Sequence, residues 1–212
     1  MEEIEELVNL KKGAVVVDKF TLNQAETMLM VIDLQERLVA VMSRGPEVLR
    51  NTNILISVSN KLNLPIIVTE QYPKGLGKTV SEVSNYFERV SVYEKITFSG
   101  CTGEIITALK RLGKRKIIIA GMETHICVFQ TVRDLLVHGY QVFVVKDAVC
   151  SRTAENYLNA LLLMSEMGAV VTNTETVVFD LMKEAGTPLF KEVSKLIKQC
   201  QGDGVVDTTL GL

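Results

Sequence analysis

Short, continuous runs of branched apolar residues alternate along this chain with segments of helical spacing, and this alternation most constrains the fold. The runs predict strands at residues 28–32, 64–69, 90–93, 117–120, 142–145 and 170–171. The segments between them predict helices at 46–62, 102–112 and 124–138, then one capped by Ser151 or Thr153, and further helix after residue 174. Continuous apolar strands are buried on both faces, which is typical of parallel sheets covered by helices. The sequence therefore predicts a three-layer α/β/α fold with a mainly parallel six-stranded sheet.

Length and charge limit the classes of function. The chain has 212 residues, 47% of them hydrophobic, and shows no repeat or shift in composition, so we expect one domain over residues 1–212. A net charge of −2 with both signs interspersed favours neither nucleic acid nor an anionic membrane as partner. No apolar run reaches the roughly 18 residues that a membrane span needs.

The cysteines and the chain ends indicate a cytoplasmic protein with free thiols. Cys101, Cys127, Cys150 and Cys200 do not form a disulfide framework. The first dozen residues, MEEIEELVNLKK, lack the apolar segment of a signal peptide. A reducing cytosol is the simplest compartment for such a chain. For the tail after Cys200 two interpretations are open, disorder and docking on a neighbouring subunit.

Two familiar ligand motifs fail in this sequence. The run Gly77-Lys78-Thr79 resembles the end of a phosphate-binding P-loop, but Tyr72 stands where that motif requires glycine. With only His125 and His138, and no paired spacing among the cysteines, a zinc site is not expected. The sequence therefore predicts no metal and no cofactor.

Cys127 is a candidate nucleophile because of where it stands. It comes six residues after Gly121, which ends an apolar run, and near the start of the predicted helix 124–138. A helix N-terminus favours thiolate over thiol, and the carboxyl ends of parallel strands are where open sheets bind ligands. The alternative is a buried, inert cysteine. His125 would point about 200° away from Cys127 on a helix, so the base for this thiol must be another residue.

Asp33 and Lys95 each follow a predicted strand, on the same sheet edge as Cys127. For Asp33 the alternative is a helix cap, and for Lys95 a solvated loop position. A buried pair of these two residues would let the carboxylate take the thiol proton. The ammonium would stabilise the negative charge that develops.

These residues and their neighbours resemble the isochorismatase-like cysteine hydrolases. The similar motifs are VIDLQ around Asp33, KITFSG from Lys95 and GMETHICV around Cys127. Residues 69–83 and 144–153 also resemble isochorismatase-domain-containing proteins of undefined activity, and the resemblance covers a core of about 28–181 with extensions at both ends. It implies that Asp33 is general base and later proton donor, Lys95 its electrostatic partner and Cys127 the nucleophile.

The resemblance also implies a reaction and a binding site. The reaction is cleavage of a small amide, carbamoyl or ureido compound through a thioester. A cis peptide is expected at Met122–Glu123, which would aim the N–H groups of Glu123 and Cys127 into an oxyanion hole. Candidate substrate-pocket residues, each with a packing or loop role as the alternative, are Gln35, Glu70, Gln71, Tyr72, Phe98 and Thr124.

The chain departs from the family pattern in ways that narrow the function. The loop TEQYPKGLG lacks the histidines with which nicotinamidases hold a metal, so a metal-independent enzyme is expected. Cys127 favours acyl transfer over the vinyl-ether chemistry of true isochorismatases, and His125 stands where the family often has Asp. The alternatives are a non-catalytic scaffold or regulatory protein and a thiol redox protein. We expect a homo-oligomer with a small-molecule substrate.

Overall fold

A six-stranded parallel sheet forms the centre of the computed structural model, which describes residues 18–201. The strands are β1 Thr27–Ile32, β2 Ile66–Gln71, β3 Val90–Lys95, β4 Lys116–Met122, β5 Gln141–Cys150 and β6 Val170–Thr172. Their order is β3-β2-β1-β4-β5-β6, and every neighbouring pair is parallel. The predicted parallel sheet is confirmed, whereas the predictions about the first dozen residues and about the tail beyond Gln201 fall outside the described residues.

Helices cover both faces of the sheet. They are α1 Glu36–Val39, α2 Gly45–Lys61, α3 Pro73–Leu76, α4 Ser81–Ser84, α5 Gly103–Leu112, α6 Phe129–Val137, α7 Ala154–Glu166, α8 Thr174–Met182 and α9 Pro188–Gln201. Strand β1 is buried throughout, with Leu29 and Val31 in the core beneath α2, α8 and α9. Its Met28 and Met30 lie in the second core, beneath α5, α6 and α7. Burial on both faces explains the continuous apolar runs and confirms the three layers. None of the helices in residues 18–201 has the length and apolar character to span a membrane.

Two elements near the sheet edge differ from the sequence prediction. The helix expected from residue 124 begins as a π-helical turn, Thr124–Val128, and becomes α-helical only at Phe129. The fifth strand runs to Cys150 rather than ending at residue 145. Lys146 and Asp147 interrupt its apolar pattern, but a register shift in β4 lets pairing resume as Gly121 with Val149 and Met122 with Cys150.

Gly121 permits the close approach of β4 to β1 just before the candidate nucleophile. Its φ is +132°, and a Cβ atom there would lie 2.0 Å from the carbonyl oxygen of Ile32. Only glycine fits both this backbone conformation and this space. The carboxyl ends of β1 and β4 are thereby held side by side.

Candidate active site

The predicted catalytic residues meet where the strand order changes direction, at the carboxyl ends of β1 and β4. Strands β2 and β3 extend the sheet on one side of β1, and β4 lies on the other. Asp33 follows β1 directly, and Cys127 lies in the π-helical turn after β4. Lys95 is the last residue of β3. Such a switch point is the usual ligand site of an open α/β sheet.

Asp33 and Lys95 form a fully buried ion pair. The ammonium Nζ of Lys95 lies 2.7 Å from Oδ2 of Asp33, and neither side chain is exposed to solvent. The hydroxyl of Thr69 donates to the other carboxylate oxygen, Oδ1, at 2.7 Å. Both alternatives raised for these residues are wrong, because helix α1 takes Gln35 as its N-cap and Lys95 is not a solvated lysine.

The Lys95 ammonium has three further protein acceptors. Its Nζ donates to Oε1 of Gln71 at 2.8 Å and to the carbonyl oxygens of Thr97 and Phe98 at 3.3 and 3.1 Å. A buried ammonium is tolerated only when it is paired and hydrogen-bonded in this way. The charge of Lys95 is therefore held in one place beside Asp33.

Cys127 is only 5% exposed, and its thiol lies close enough to Asp33 and Lys95 for both charges to act on it. Burial, assisted by the negative charge of Asp33, raises the pKa of the Cys127 thiol to about 12, although Lys95 acts in the opposite direction. The expectation that a helix N-terminus lowers this pKa is therefore wrong. Burial, which removes the thiolate from water, is the largest contribution to this shift. At neutral pH Cys127 is a thiol, and Asp33 is placed to receive its proton.

The backbone around Cys127 is unusual. The Met122–Glu123 peptide bond is cis. In the π-helical turn that follows, the carbonyl oxygen of Glu123 accepts the N–H groups of Ile126 and Val128, at 3.1 and 3.2 Å. The N–H group of Cys127, which lies between those two donors, does not donate to this oxygen. π-Helical turns are rare and are frequently found at functional sites.

Sequence reasoning missed a polar cluster beside this turn. The buried carboxylate of Glu123 accepts, through Oε2, the backbone N–H and the side-chain Nε of Arg152, at 3.1 and 3.0 Å. Nδ1 of His125 lies 2.9 Å from Oγ of Ser151. Arg152 and Ser151 follow β5, whose end the sequence placed five residues too early, so no pattern marked them as neighbours of Cys127.

Three of the candidate pocket residues are buried and bonded within the protein. Gln71 contacts Lys95, as described above, and its backbone N–H donates to Gln35 at 2.7 Å. Nε2 of Gln35 donates to the carbonyl oxygens of Gln71 and Gly77, at 3.0 and 2.7 Å. Glu70 accepts both the N–H and the hydroxyl of Thr79 at 2.8 Å. These side chains hold the loop after β2 against the sheet edge.

The other three candidates differ in exposure. Tyr72 and Phe98 are 53% and 54% exposed, whereas Thr124 is buried and its hydroxyl has no hydrogen-bond partner among the described residues. Tyr72 borders a cavity of about 470 Å³ outside β3. The cavity is lined by Tyr72, Pro73, Lys74, Glu94, Lys95, Ile96, Thr97, Thr102 and Glu104. Since the Lys95 side chain is fully buried, the cavity meets only the backbone of that residue.

Within residues 18–201, no three His, Cys, Asp or Glu side chains converge in a way that could hold a metal ion. Glu70, near the end of β2, is instead bonded to Thr79 and to Lys78.

Comparison with known proteins identifies the family. The model of the isochorismatase domain matches residues 27–176. The chain is 42% identical to the secreted isochorismatase effector Isc1 of Phytophthora sojae, over 82% of this chain and 85% of that protein. The structure of the MAR1 ribonuclease from Caenorhabditis elegans superposes with a TM-score of 0.81 at 36% identity, covering 91% of this chain and 98% of that one.

A more distant structure shares the same architecture. It is the YcaC gene product of Escherichia coli, described as an octameric hydrolase of unknown specificity. It matches with a TM-score of 0.73 at 25% identity, covering 77% of this chain and 83% of that one. Together with the domain match, these similarities show that the chain belongs to the isochorismatase family, whose fold is that of a hydrolase.

Proposed function

We propose that this protein is a metal-independent cysteine hydrolase that cleaves a small amide, carbamoyl or ureido compound through a thioester. Its triad is Asp33, Lys95 and Cys127. One observation carries the proposal: the Asp33 carboxylate is hydrogen-bonded to a buried ammonium and acts electrostatically on a buried thiol beside it. This arrangement joins a nucleophile, a base and a third group that orients the base.

Acylation begins when the substrate carbonyl carbon comes within reach of Sγ of Cys127. Asp33 takes the thiol proton as the S–C bond forms, and the carbonyl π electrons move onto oxygen. When the tetrahedral intermediate collapses, the C–N bond breaks and the leaving nitrogen takes the proton from Asp33. The raised pKa of the Cys127 thiol favours this concerted transfer over a preformed thiolate.

Deacylation reverses the role of Asp33. The carboxylate removes a proton from water as the water oxygen bonds to the thioester carbon. The C–S bond then breaks, and the departing sulfur recovers its proton from Asp33. In both steps Lys95 contacts Asp33 and Gln71 and exchanges no proton.

The backbone beside Cys127 supports an oxyanion hole. The carbonyl oxygen of Glu123 accepts the N–H groups of Ile126 and Val128 but not the N–H group of Cys127. We assign this N–H, together with that of Glu123, to the oxygen of the tetrahedral intermediate. Backbone donors aimed at developing charge contribute about 2.7–4 kcal/mol each to transition-state stabilisation in comparable sites.

Three further features belong to the proposal. The octameric E. coli relative supports a homo-oligomer, as do the exposed apolar side chains of Leu158 and Leu162 on α7. We propose a single domain over residues 1–212 and a cytoplasmic location. One relative is named a secreted effector, so the location is tested separately by fractionation of the organism that makes this protein.

The test is ammonia or amine release from a panel of small amides, carbamoyl compounds and ureido compounds. Cys127→Ala should abolish turnover, and Cys150→Ala, which alters another buried cysteine, should retain it. Intact-mass spectrometry with a slow substrate should detect an acyl group on Cys127. Turnover that survives in Cys127→Ala would contradict the proposal.

RNA should be included as a further substrate, because the C. elegans protein is named a ribonuclease. We expect no RNA cleavage, since the proposed chemistry is acyl transfer. RNA cleavage that depends on Cys127, with no turnover of any amide, would replace the proposal.

A further inference from the structure

Thr131 joins two parts of the candidate site through one buried hydroxyl. Its Oγ1 donates to the carbonyl oxygen of Cys127 at 2.6 Å and accepts the backbone N–H of Gly100 at 2.8 Å. Thr131 lies on α6 and is fully buried. A single side chain therefore connects the nucleophile turn to the loop that follows β3.

Of the two hydrogen bonds made by Thr131, the one to Cys127 is common in helices and the one from Gly100 is not. Threonine hydroxyls in helices often donate to the carbonyl four residues earlier, as Thr107 does to Gly103 at 2.7 Å. The additional bond from Gly100, 31 residues away in the chain, is a tertiary contact. Thr107 is exposed on α5 and offers a matched case of the helix bond alone.

The loop that Thr131 holds is the one that fixes Lys95. Carbonyl oxygens of Thr97 and Phe98 accept the Lys95 ammonium, and Gly100 ends the same segment. Gly100 is closely packed, because a Cβ atom there would lie 2.7 Å from Cε of Met30 and 3.3 Å from Oγ1 of Thr131. A movement of the loop would thus change the position of the ammonium.

We propose that Thr131 is a positioning residue that sets the distance between the Asp33–Lys95 pair and the nucleophile Cys127. The inference rests on the proposed function, in which that distance governs proton transfer from sulfur to carboxylate. Thr131 itself touches neither the reacting atoms nor the substrate. It acts through the backbone of Cys127 on one side and through the loop at Gly100 on the other.

Loss of the Thr131 hydroxyl should free both the turn that carries Cys127 and the loop at Gly100. Thr131→Val keeps the shape of the side chain but leaves the Gly100 N–H and the Cys127 carbonyl without this partner. A displacement of about 1 Å in a catalytic group lowers turnover by up to about 100-fold. Thr131→Ser retains the hydroxyl and should restore most of the lost rate.

The experiment compares kcat and thiol alkylation in three folded variants. Thr131→Val should lower kcat by about 10- to 100-fold and change KM less, whereas Thr131→Ser and Thr107→Val should stay near wild type. The second readout is the pH midpoint of iodoacetamide alkylation at Cys127, with the labelled site identified by mass spectrometry. In Thr131→Val this midpoint should move down toward the ordinary cysteine value of about 8.5.

The midpoint reports position because the charged groups around the thiol are unchanged in this variant. Asp33, Lys95 and Glu123 all act on Cys127 in the wild-type protein. A turn that loosens separates the thiol from Asp33 and admits water, and both changes lower the pKa of Cys127. A purely structural role would lower the melting temperature and leave the midpoint where it is.

Clear outcomes would overturn the inference. One is a folded Thr131→Val protein with wild-type kcat and an unchanged midpoint. If Thr131→Val does not fold, Gly100→Ala tests the same link from the other side, because its methyl group would overlap Met30 and crowd Thr131 and so displace the loop. Wild-type kcat and an unchanged midpoint in Gly100→Ala would likewise refute it. If no amide is turned over at all, the proposed function fails, and alkylation alone then decides the role of Thr131.

Discussion

Replacement of Lys95 by methionine would test how the buried pair is held. Methionine has nearly the same length but removes the ammonium from its four acceptors, on Asp33, Gln71, Thr97 and Phe98. Among the described residues, the carboxylate of Asp33 would then be buried with only the Thr69 hydroxyl as an observed side-chain donor. A buried charge left without its partner is strongly destabilising.

The expected loss can be stated from this geometry. Both side chains are fully buried, so solvent does not screen the interaction. Removing one partner of such a pair lowers the free energy of unfolding by about 3–5 kcal/mol. For a domain of this size that corresponds to a fall of about 6–20 °C in melting temperature.

Urea denaturation followed by circular dichroism measures this loss, and a double-mutant cycle isolates the pair. Asp33→Asn combined with Lys95→Met removes both charges and should be more stable than Lys95→Met alone. A decrease of less than about 1 kcal/mol in the free energy of unfolding of Lys95→Met, the range of a surface ion pair, would refute this prediction. It also fails if the double variant is no more stable than the single one.

Two further predictions concern the nucleophile and the strand before it. Alkylation of Cys127 should be slow at neutral pH, with a midpoint above the ordinary value of about 8.5. Folding raises the pKa of this thiol, so the free energy of unfolding should be unaffected below about pH 8.5 and should fall as the pH rises from there toward about 12. This fall should be smaller in Cys127→Ala. Equal curves of stability against pH for the two proteins would contradict the assigned environment of the thiol. Gly121→Ala should lower the free energy of unfolding, measured by urea denaturation, by more than about 3 kcal/mol, because its Cβ would lie 2.0 Å from the carbonyl oxygen of Ile32. Gly139 also has a positive φ, but a Cβ atom there would have no atom within 4 Å. Gly139→Ala should therefore lower the free energy of unfolding by only about 1 kcal/mol, and equal losses in the two variants would refute the argument.

Much of the architecture follows from local pattern. The apolar runs of β1, β2 and β4 are long enough to mark buried strands. The helix predicted at 102–112 is observed at Gly103–Leu112, and its N-cap is Thr102, whose hydroxyl accepts the N–H of Ile105. Strand β5 was predicted too short because Lys146 and Asp147 break its pattern, and only pairing with β4 beyond a bulge extends it to Cys150. The π-helical turn likewise leaves no signature in residue spacing.

What the sequence determined by itself is the set of strand ends and the residue types found there. Strands that run parallel bring their carboxyl ends to one edge, so Asp33, Lys95 and Cys127 could be assigned to that edge from chain order alone. Only the tertiary structure decided the protonation state of Cys127, because desolvation depends on what surrounds a thiol rather than on its neighbours in the chain. The link through Thr131 was beyond the sequence for the same reason: a contact between residues 31 positions apart has no local signal, since it exists only when sheet and helix pack together.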